Sequence, residues 1–258
     1  ALLSSIIWNF AANKLKMPAS STHALIGGMI GALFAGDWSF DHVRLGKFDP
    51  IHPTGVIGAA ISIVMSPMLG FLVAYFLFSL TLICILRATS KAESVFRRVQ
   101  WITTAGLAFG DGQNDTQKTM GLLVLALNCA GLLHQNQIPL WVRALTGLAM
   151  AVGAFALSPS VAKELAFKVY KLRPMHAAVA ETSATSILVA NSIVGGPVSA
   201  SQVIAAAIMG TGGAERARGI HWMVIKDMLL SWIITIPATA VLALLAYVAI
   251  FRWLGLNL

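Results

Sequence analysis

The chain reads GDGQNDTQK at residues 110–118, and the sequence on both sides of this stretch is apolar. A charged side chain at the centre of a membrane costs about 2.5–3.5 kcal/mol, so these two aspartates and one lysine would cost roughly 8–10 kcal/mol if they faced lipid. They must instead be paired, solvated or bound to a ligand. The two glycines permit an unwound backbone with free polar groups. Asn114 and Asp115 offer oxygens to a hard cation, and the alternative is an aspartate–lysine pair that holds helices together.

The composition indicates a membrane protein. Of the 258 residues, 57% are hydrophobic and 11% are charged, against about 25% charged in an average soluble domain. The mean hydropathy is +0.79, which excludes both a soluble domain and a disordered chain. The net charge of +8 does not indicate nucleic-acid binding, because the basic residues form short clusters between apolar stretches. Cys84 and Cys129 lie in apolar runs and offer no metal-ligand spacing, and no nucleophile–base pair suggests an enzyme.

Eight apolar stretches are long enough to form a membrane-spanning helix or part of one. They are 1–13, 18–35, 53–86, 101–133, 139–157, 174–195, 197–213 and 228–250. Pro67 interrupts one of the two longest stretches, and GDGQND at 110–115 interrupts the other. The stretches 18–35 and 197–213 are short and begin with proline. We therefore expect an all-α polytopic membrane protein with broken or re-entrant helices.

The basic residues predict the orientation of the chain. Their clusters are Lys14 and Lys16; Arg87, Lys91, Arg97 and Arg98; Lys163, Lys168, Lys171 and Arg173; and Arg216, Arg218 and Lys226. If each stretch crosses once, all four clusters lie in the cytoplasm and the acidic loop at 36–50 lies outside. This predicts a multi-pass protein of the inner cell membrane. The amphipathic stretch 159–173 is expected to lie along the cytoplasmic surface, where lipid or an accessory protein contacts it.

Two short motifs indicate an internal repeat. PASSTH at 18–23 matches PVSASQ at 197–202, and an Ile-His pair follows each copy. The alignment pairs Ser20 with Ser199, Thr22 with Ser201, Gly31 with Gly210 and Ser62 with Ser231. On the predicted orientation, one copy runs outward and the other inward, which is typical of secondary transporters with inverted-topology repeats. We expect residues 1–90 to hold the remainder of the first repeat and residues 91–258 to hold the second.

Hydroxyl groups cluster where two helices are expected to begin. They belong to Ser20, Ser21, Thr22, Ser199 and Ser201. A helix N-terminus carries partial positive charge and unpaired N–H groups, so these hydroxyls predict a weak and reversible anion site. The alternative is helix packing through Ser and Thr hydrogen bonds. His23, which follows the first copy, is either a neighbour of the ligand or a packing residue.

A lone acid lies in another apolar stretch. Glu181 is the one charged residue between positions 177 and 194. An ionisable residue within a membrane span is a candidate functional residue by default. Glu181 therefore either binds a cation or proton, or hydrogen-bonds to a neighbouring helix.

Together these stretches resemble the inorganic phosphate transporter family often called PiT. GQNDTQKTMG at residues 112–121 looks like the bacterial form of the family's second Gly-x-Asn-Asp motif. PASSTH at 18–23 resembles the first Pro-Val-Ser-Thr-Thr-His motif, and residues 197–202 resemble the second copy less closely. Glu181 matches an acidic position of the second repeat. The resemblance extends over nearly the whole chain.

The resemblance implies symport of inorganic phosphate, either free or as a metal–phosphate complex, coupled to protons or sodium, with no resident cofactor. By position, phosphate would be bound by Ser20, Ser21, Thr22, Gln113, Asn114, Ser199 and Ser201. The coupling residues would be Asp111, Asp115 and Glu181, and the supporting residues would be His23, Thr116, Gln117 and Lys118. We expect phosphate and membrane lipid as partners, with either a second copy or a cytoplasmic accessory protein, and no nucleic acid.

Three departures from the family pattern bear on the substrate. The chain holds one Asn-Asp motif, and we expect the first-half copy to precede Ala1. The second hydroxyl motif reads Ser199-Ala200-Ser201-Gln202, which lacks one hydroxyl and the histidine. Asp111 stands where bacterial members often have histidine, and we hypothesise that it favours a cation-coupled or metal-bound substrate. A sulfate permease of the same fold and a passive anion channel are the alternative functions.

Overall fold

The computed structural model describes residues 1–15, 17, 19–40, 43, 46, 55–85, 92–133, 138–156 and 169–255. The helices in these ranges are α1 (Leu2–Lys14), α2 (Ser21–Asp37), α3 (Gly55–Ile85), α4 (Ala92–Cys129), α5 (Leu140–Ala156), α6 (Pro174–Val194), α7 (Ala200–Arg216) and α8 (Trp222–Trp253). A 3₁₀ turn, Ala217–Gly219, joins α7 to α8. The described part of the chain contains no strand, which confirms the all-α prediction.

Several of these helices are suited to cross a membrane. Within the described residues, Gly55–Cys84, Pro174–Val194 and Trp222–Phe251 are long and apolar enough to span, and Ser21–Gly36 and Leu140–Ala156 are shorter apolar helices. Large apolar side chains point outward from the bundle, with Phe155 94% exposed and Trp101 82% exposed. Such exposure suits contact with lipid rather than water.

The break expected at 110–115 is wrong. Helix α4 runs without interruption from Ala92 to Cys129 and includes the whole GDGQND stretch. Gly110 serves helix packing, since a Cβ added there would lie 3.4 Å from Cβ of Leu188 on α6. Helix α3 likewise continues through Pro67. In an environment without water a helix retains its backbone hydrogen bonds, because no other partner satisfies the exposed groups.

Close packing of small residues fixes the arrangement of the helices. Helix α2 packs against α8, α7 against both α3 and α6, and α6 against α4. A Cβ on Gly31 of α2 would lie 2.0 Å from the carbonyl oxygen of Ala240, and a Cβ on Gly210 of α7 would lie 2.3 Å from that of Phe71. Only glycine permits such contact between backbones. The main buried cluster surrounds α7, which therefore lies at the centre of its group of helices.

Two sequence predictions fall largely outside the described residues. These are the acidic loop at 36–50 and the amphipathic stretch 159–173, and Pro18 lies outside as well. Arg97 and Arg98 lie within α4 rather than in a loop, because this helix begins nine residues before the apolar stretch at 101–133.

Candidate functional site

The N-termini of α2 and α7 meet inside the protein. Ser20 is the N-cap of α2 and Ser199 is the N-cap of α7. Ser20 Oγ donates a hydrogen bond of 2.8 Å to Ser199 Oγ, and both side chains are buried. Serine is among the preferred N-cap residues, so the sequence favours helix starts at these positions. The partial positive charges of two helix N-termini therefore converge on one pair of hydroxyls.

Three donors converge on the carbonyl oxygen of Val198, the residue before Ser199. Thr22 Oγ1 lies 3.0 Å from this oxygen, Asn114 Nδ2 lies 3.1 Å from it, and Lys118 Nζ lies 2.5 Å from it. The donors come from α2 and α4, whereas the acceptor precedes α7. A carbonyl oxygen has two lone pairs. The donors at this point therefore outnumber the acceptor's ideal capacity.

Asp115 and Lys118 join α4 to the hydroxyls of α2. Asp115 Oδ2 accepts a hydrogen bond of 3.0 Å from Ser21 Oγ. Its other oxygen, Oδ1, accepts from Lys118 Nζ at 2.9 Å and from Asn114 Nδ2 at 3.4 Å. Lys118 Nζ also donates to Thr22 Oγ1 at 2.6 Å. An ammonium has three donors, and all three are engaged here.

A histidine and an amide extend the hydroxyl pair on its other side. His23 Nδ1 lies 2.6 Å from Ser20 Oγ, and His23 Nε2 lies 3.4 Å from Gln202 Nε2. Ser201 Oγ lies 3.1 Å from Ser199 Oγ. His23 and Gln202 are both 3% exposed. The two aligned motifs thus contact each other through Ser20, Thr22 and His23 of the first and Val198, Ser199 and Gln202 of the second.

The arrangement is suited to hold a tetrahedral oxyanion. It offers hydroxyl, amide and ammonium donors beside two helix N-termini, which attract negative charge. Asp115 adds an acceptor and a counter-charge for a cation. Within the part of the chain that the structure describes, no group of three or more His, Cys, Asp or Glu side chains could hold a metal ion.

The structure places Glu181 apart from this cluster. Its carboxylate accepts hydrogen bonds from Thr103 Oγ1 at 2.5 Å and from Thr104 Oγ1 at 3.0 Å, both on α4. From Thr104 to Asp115 the helix advances by about 16 Å, at 1.5 Å per residue. Glu181 therefore belongs to a second polar group on the same helix.

The remaining predicted residues surround the motif on α4. Asp111 lies one turn before Asp115 and is half-buried, a spacing at which side chains are neighbours. Gln113 Oε1 is buried and has no hydrogen-bond partner among the described residues. Thr116 is half-buried and Gln117 is exposed, and neither is hydrogen-bonded through its side chain to the described cluster.

Sequence reasoning missed two participants. The carbonyl of Val198 carries no sequence signal, because every residue has one. Gln202 had a signal, since the repeat alignment places it opposite His23, and the structure brings these two side chains together.

Comparison with known proteins identifies the family. The sequence model of the Phosphate transporter family matches residues 1–243. The chain belongs to this family. It is 32% identical over 249 residues to a probable low-affinity inorganic phosphate transporter of Bacillus subtilis, covering 96% of this chain and 72% of the relative. It is 35% identical over 251 residues to the protein of the same description from Rhizobium meliloti, with the same coverage.

A solved structure shares the fold. The structure titled "The sodium-dependent phosphate transporter" superposes with a TM-score of 0.79 at 19% sequence identity, covering 96% of this chain and 78% of that one. The resemblance to the phosphate transporter family is confirmed, and so is the prediction of a multi-pass membrane protein that is a transporter rather than an enzyme.

Proposed function

We propose that this protein carries inorganic phosphate across the inner cell membrane by symport and binds it between the N-termini of α2 and α7. The cluster of Ser20, Ser21, Thr22, Ser199 and Ser201 with Asn114, Asp115 and Lys118 would form the site. Its donors are neutral except for one lysine, and Asp115 balances the charge of that lysine. Such a site binds an anion weakly enough to release it.

The crowded carbonyl of Val198 is the observation that carries this proposal. Thr22, Asn114 and Lys118 all aim their donors at this oxygen. Phosphate has four oxygens and would supply the acceptors that these donors share at present.

Asp115 favours phosphate over sulfate as the substrate. Near neutral pH phosphate retains at least one O–H group, whereas sulfate has none. A carboxylate acceptor beside the anion gains a hydrogen bond from phosphate and only repulsion from sulfate. Asp115 lies within reach because Ser21, which bonds it at 3.0 Å, is in the first turn of α2.

Coupling to a cation would use two acidic groups on the α4–α6 pair. Asp111 and Asp115 form one group, one turn apart on α4. Glu181 with Thr103 and Thr104 forms the other, and its carboxylate and hydroxyl oxygens suit either a proton or Na⁺. The sodium dependence named for the structural neighbour favours Na⁺. Either cation would offset the charge of the phosphate, with or without a divalent metal bound to it.

We infer that the two halves are inverted repeats, 1–90 and 91–258. The triplets α1–α2–α3 and α6–α7–α8 match in order, and α2 and α7 each have 17 residues. Their packing is reciprocal, because α2 contacts α8 as α7 contacts α3, and α1 contacts α8 as α6 contacts α3. The same exchange relates single contacts. Gly31 contacts Ala240, and Gly210, which aligns with Gly31, contacts Phe71. Phe71 aligns with Ala240 in the same register that pairs Ser62 with Ser231.

The test is uptake of radiolabelled phosphate by the full-length protein in proteoliposomes. Uptake is measured under an imposed Na⁺ gradient, under a proton gradient, and with excess sulfate. We expect one gradient to drive uptake, sulfate not to compete, and Asp115→Asn to abolish uptake. Asp227→Asn is the matched control, because Asp227 is exposed at the start of α8 and the chemical change is the same. Full competition by sulfate would overturn the phosphate assignment.

The same assay separates a symporter from a passive anion channel. A channel passes phosphate down its own gradient and ignores the cation gradients. Uptake that is unchanged after collapse of both the proton and the sodium gradient would contradict symport. It would leave the anion site between α2 and α7 in place, provided that Asp115→Asn still abolished the flux.

A further inference from the structure

A continuous chain of polar groups crosses the interface between α2 and α7. It runs from Gln202 to His23, Ser20, Ser199 and Ser201. The first four side chains are nearly completely buried. The proposed phosphate site uses the hydroxyl end of this chain and assigns no role to Gln202.

Ser20 limits the hydrogen bonds along this chain of polar groups to two proton arrangements. Its Oγ accepts from the backbone N–H of His23 at 3.2 Å and also contacts His23 Nδ1 and Ser199 Oγ. A hydroxyl has one proton to donate. If that proton goes to Ser199, then His23 must donate from Nδ1. If it goes to His23, then Ser199 must donate to Ser20, and its proton is no longer available to an anion.

The placement of the Gln202 amide, with Nε2 rather than Oε1 toward the ring, favours one of these two arrangements. Its Nε2 faces His23 Nε2, whereas its Oε1 is buried without a partner among the described residues. An amide N–H facing a ring nitrogen requires that nitrogen to be the acceptor. The proton of the neutral ring must then be on Nδ1, from which it points at Ser20 Oγ.

We propose that Gln202 is a positioning residue that holds His23 in its Nδ1–H form, so that Ser20 donates to Ser199 and the hydroxyl proton of Ser199 points toward the bound phosphate. The proposal rests on the proposed phosphate site. It assigns different roles to the two aligned positions of the repeat, with an imidazole in the first copy and an amide that orients it in the second. Gln202 contacts no phosphate itself and acts through His23.

Substitutions of Gln202 by residues of nearly equal size test the direction of the hydrogen bonds along this chain of polar groups. Gln202→Glu replaces the amide by a carboxylate that, when ionised, only accepts, so a neutral His23 ring must carry its proton on Nε2 and the hydrogen bonds along this chain of polar groups reverse. We expect the KM for phosphate to rise about tenfold or more, the value of one lost hydrogen bond to a charged group, with a smaller change in maximal rate. Gln202→Met removes the amide without imposing a direction and should raise KM less than Gln202→Glu does.

A third variant tests whether Gln202 only fills space beside His23. Gln202→His places a ring that can donate to His23, as the amide does, and should restore most of the affinity lost in Gln202→Met. If Gln202 only filled space, Gln202→His would perform worst because its shape differs most. Thermal unfolding of each variant shows whether a loss of uptake reflects a loss of folded protein.

The ¹⁵N chemical shifts of labelled histidine report the tautomer directly. His23 is assigned by loss of its signals in His23→Asn. His176 is an internal reference of opposite form, because its Nδ1 accepts from the backbone N–H of Arg173 and its Nε2 contacts Glu215 Oε2 at 2.8 Å. We expect the proton of His23 on Nδ1 in the unsubstituted protein and on Nε2 in Gln202→Glu.

The outcomes separate this inference from the proposed function. A proton on Nε2 of His23 in the unsubstituted protein, with phosphate uptake that Asp115→Asn abolishes, overturns the role of Gln202 and leaves the phosphate site standing. Equal KM values for Gln202→Glu and Gln202→Met overturn it as well. Absence of phosphate uptake under every gradient overturns the proposed function, whatever the tautomer of His23.

Discussion

The N-terminal turns of α2 and α7 come from aligned motifs, yet they differ in how their first serine is used. Ser20 caps its own helix by accepting from the backbone N–H of His23, whereas Ser199 makes no such bond. Ser199 is therefore free to bond across the interface to Ser20 and to contact Ser201 on its own helix. The repeat thus supplies the geometry of two opposed helix starts. The departures from the repeat decide which groups donate and which accept.

A third element, α4, joins the two turns. Lys118 bonds Thr22 in the first turn and the Val198 carbonyl next to the second. Because α4 lies outside the two aligned motifs, the symmetric pair acquires one cation and one carboxylate on a single side. An anion that enters between the turns would meet this asymmetric charge.

Besides Asp115→Asn, the largest effect is expected when the Lys118 link between the turns is removed. Lys118→Met deletes an ammonium that makes three hydrogen bonds and leaves Asp115 without its ion-pair partner. We expect phosphate uptake to fall about a hundredfold, since two hydrogen bonds to a charged group are together worth at least ~2.7 kcal/mol. Uptake in proteoliposomes measures the loss, and exposed Lys226 supplies the control Lys226→Met. A tenth or more of normal uptake in Lys118→Met would contradict the role of this lysine.

The two serines should respond differently to alanine. Both Ser20→Ala and Ser199→Ala remove a donor near the anion and should raise the KM for phosphate about tenfold. Only Ser20→Ala removes a helix cap, so only it should lower the free energy of unfolding, by about 1 kcal/mol. Uptake kinetics and thermal unfolding measure the two effects, with Ser186→Ala at an exposed site as control. Equal destabilisation by both substitutions would show that the two turns are equivalent.

The two glycine contacts should respond alike. Gly31→Ala and Gly210→Ala each place a Cβ within 2.0–2.3 Å of a backbone oxygen of the opposite long helix. Each should destabilise the protein by roughly 1–3 kcal/mol through overpacking, as judged by thermal unfolding. Gly36→Ala is the control, since a Cβ there meets nothing within 4 Å. If one variant unfolds at the normal temperature and the other does not, the packing of the halves is not reciprocal.

The smallest effect is expected at Glu181, far from both turns. Thr104→Val removes a 3.0 Å hydrogen bond to its carboxylate. The concentration of the coupling ion at half-maximal uptake should change roughly threefold, the value of one ordinary hydrogen bond, while the KM for phosphate stays the same. Thr182→Val is the control, because this exposed hydroxyl bonds the carbonyl of Ala178 on its own helix. A changed phosphate KM in Thr104→Val would place Glu181 in the anion site instead.

Hydropathy predicted the bounds of a helix best where the helix and the apolar stretch of sequence end at the same residues. The stretch predicted at 139–157 is helix Leu140–Ala156, and 174–195 is helix Pro174–Val194. Hydropathy placed the start of α4 too late, because the first turns of this helix carry Arg97 and Arg98 and are not apolar. A helix can nevertheless continue in polar surroundings. The polar GDGQND run predicted an interruption, but charged side chains do not unwind a helix when neighbouring elements supply partners for them.

Most side chains of the candidate cluster were predictable from the sequence, but their connections were not. The repeat identified the hydroxyls, and the charge pattern identified Asp115 and Lys118. Sequence spacing within one helix gives the Asp115–Lys118 pair, since residues three apart are neighbours. The bond between Ser20 and Ser199 and the convergence on Val198 depend on how α2 meets α7, which no local pattern encodes.

The position of a bound anion would show directly whether phosphate binds between the N-termini of α2 and α7. The full-length protein would be crystallised with arsenate, a tetrahedral anion that resembles phosphate, and the arsenic located by its anomalous scattering. We predict one peak between the two helix starts, with arsenate oxygens within hydrogen-bond distance of Thr22 Oγ1, Lys118 Nζ and Ser199 Oγ. A peak beside Glu181 with none between α2 and α7 would contradict an anion site between the two helix starts.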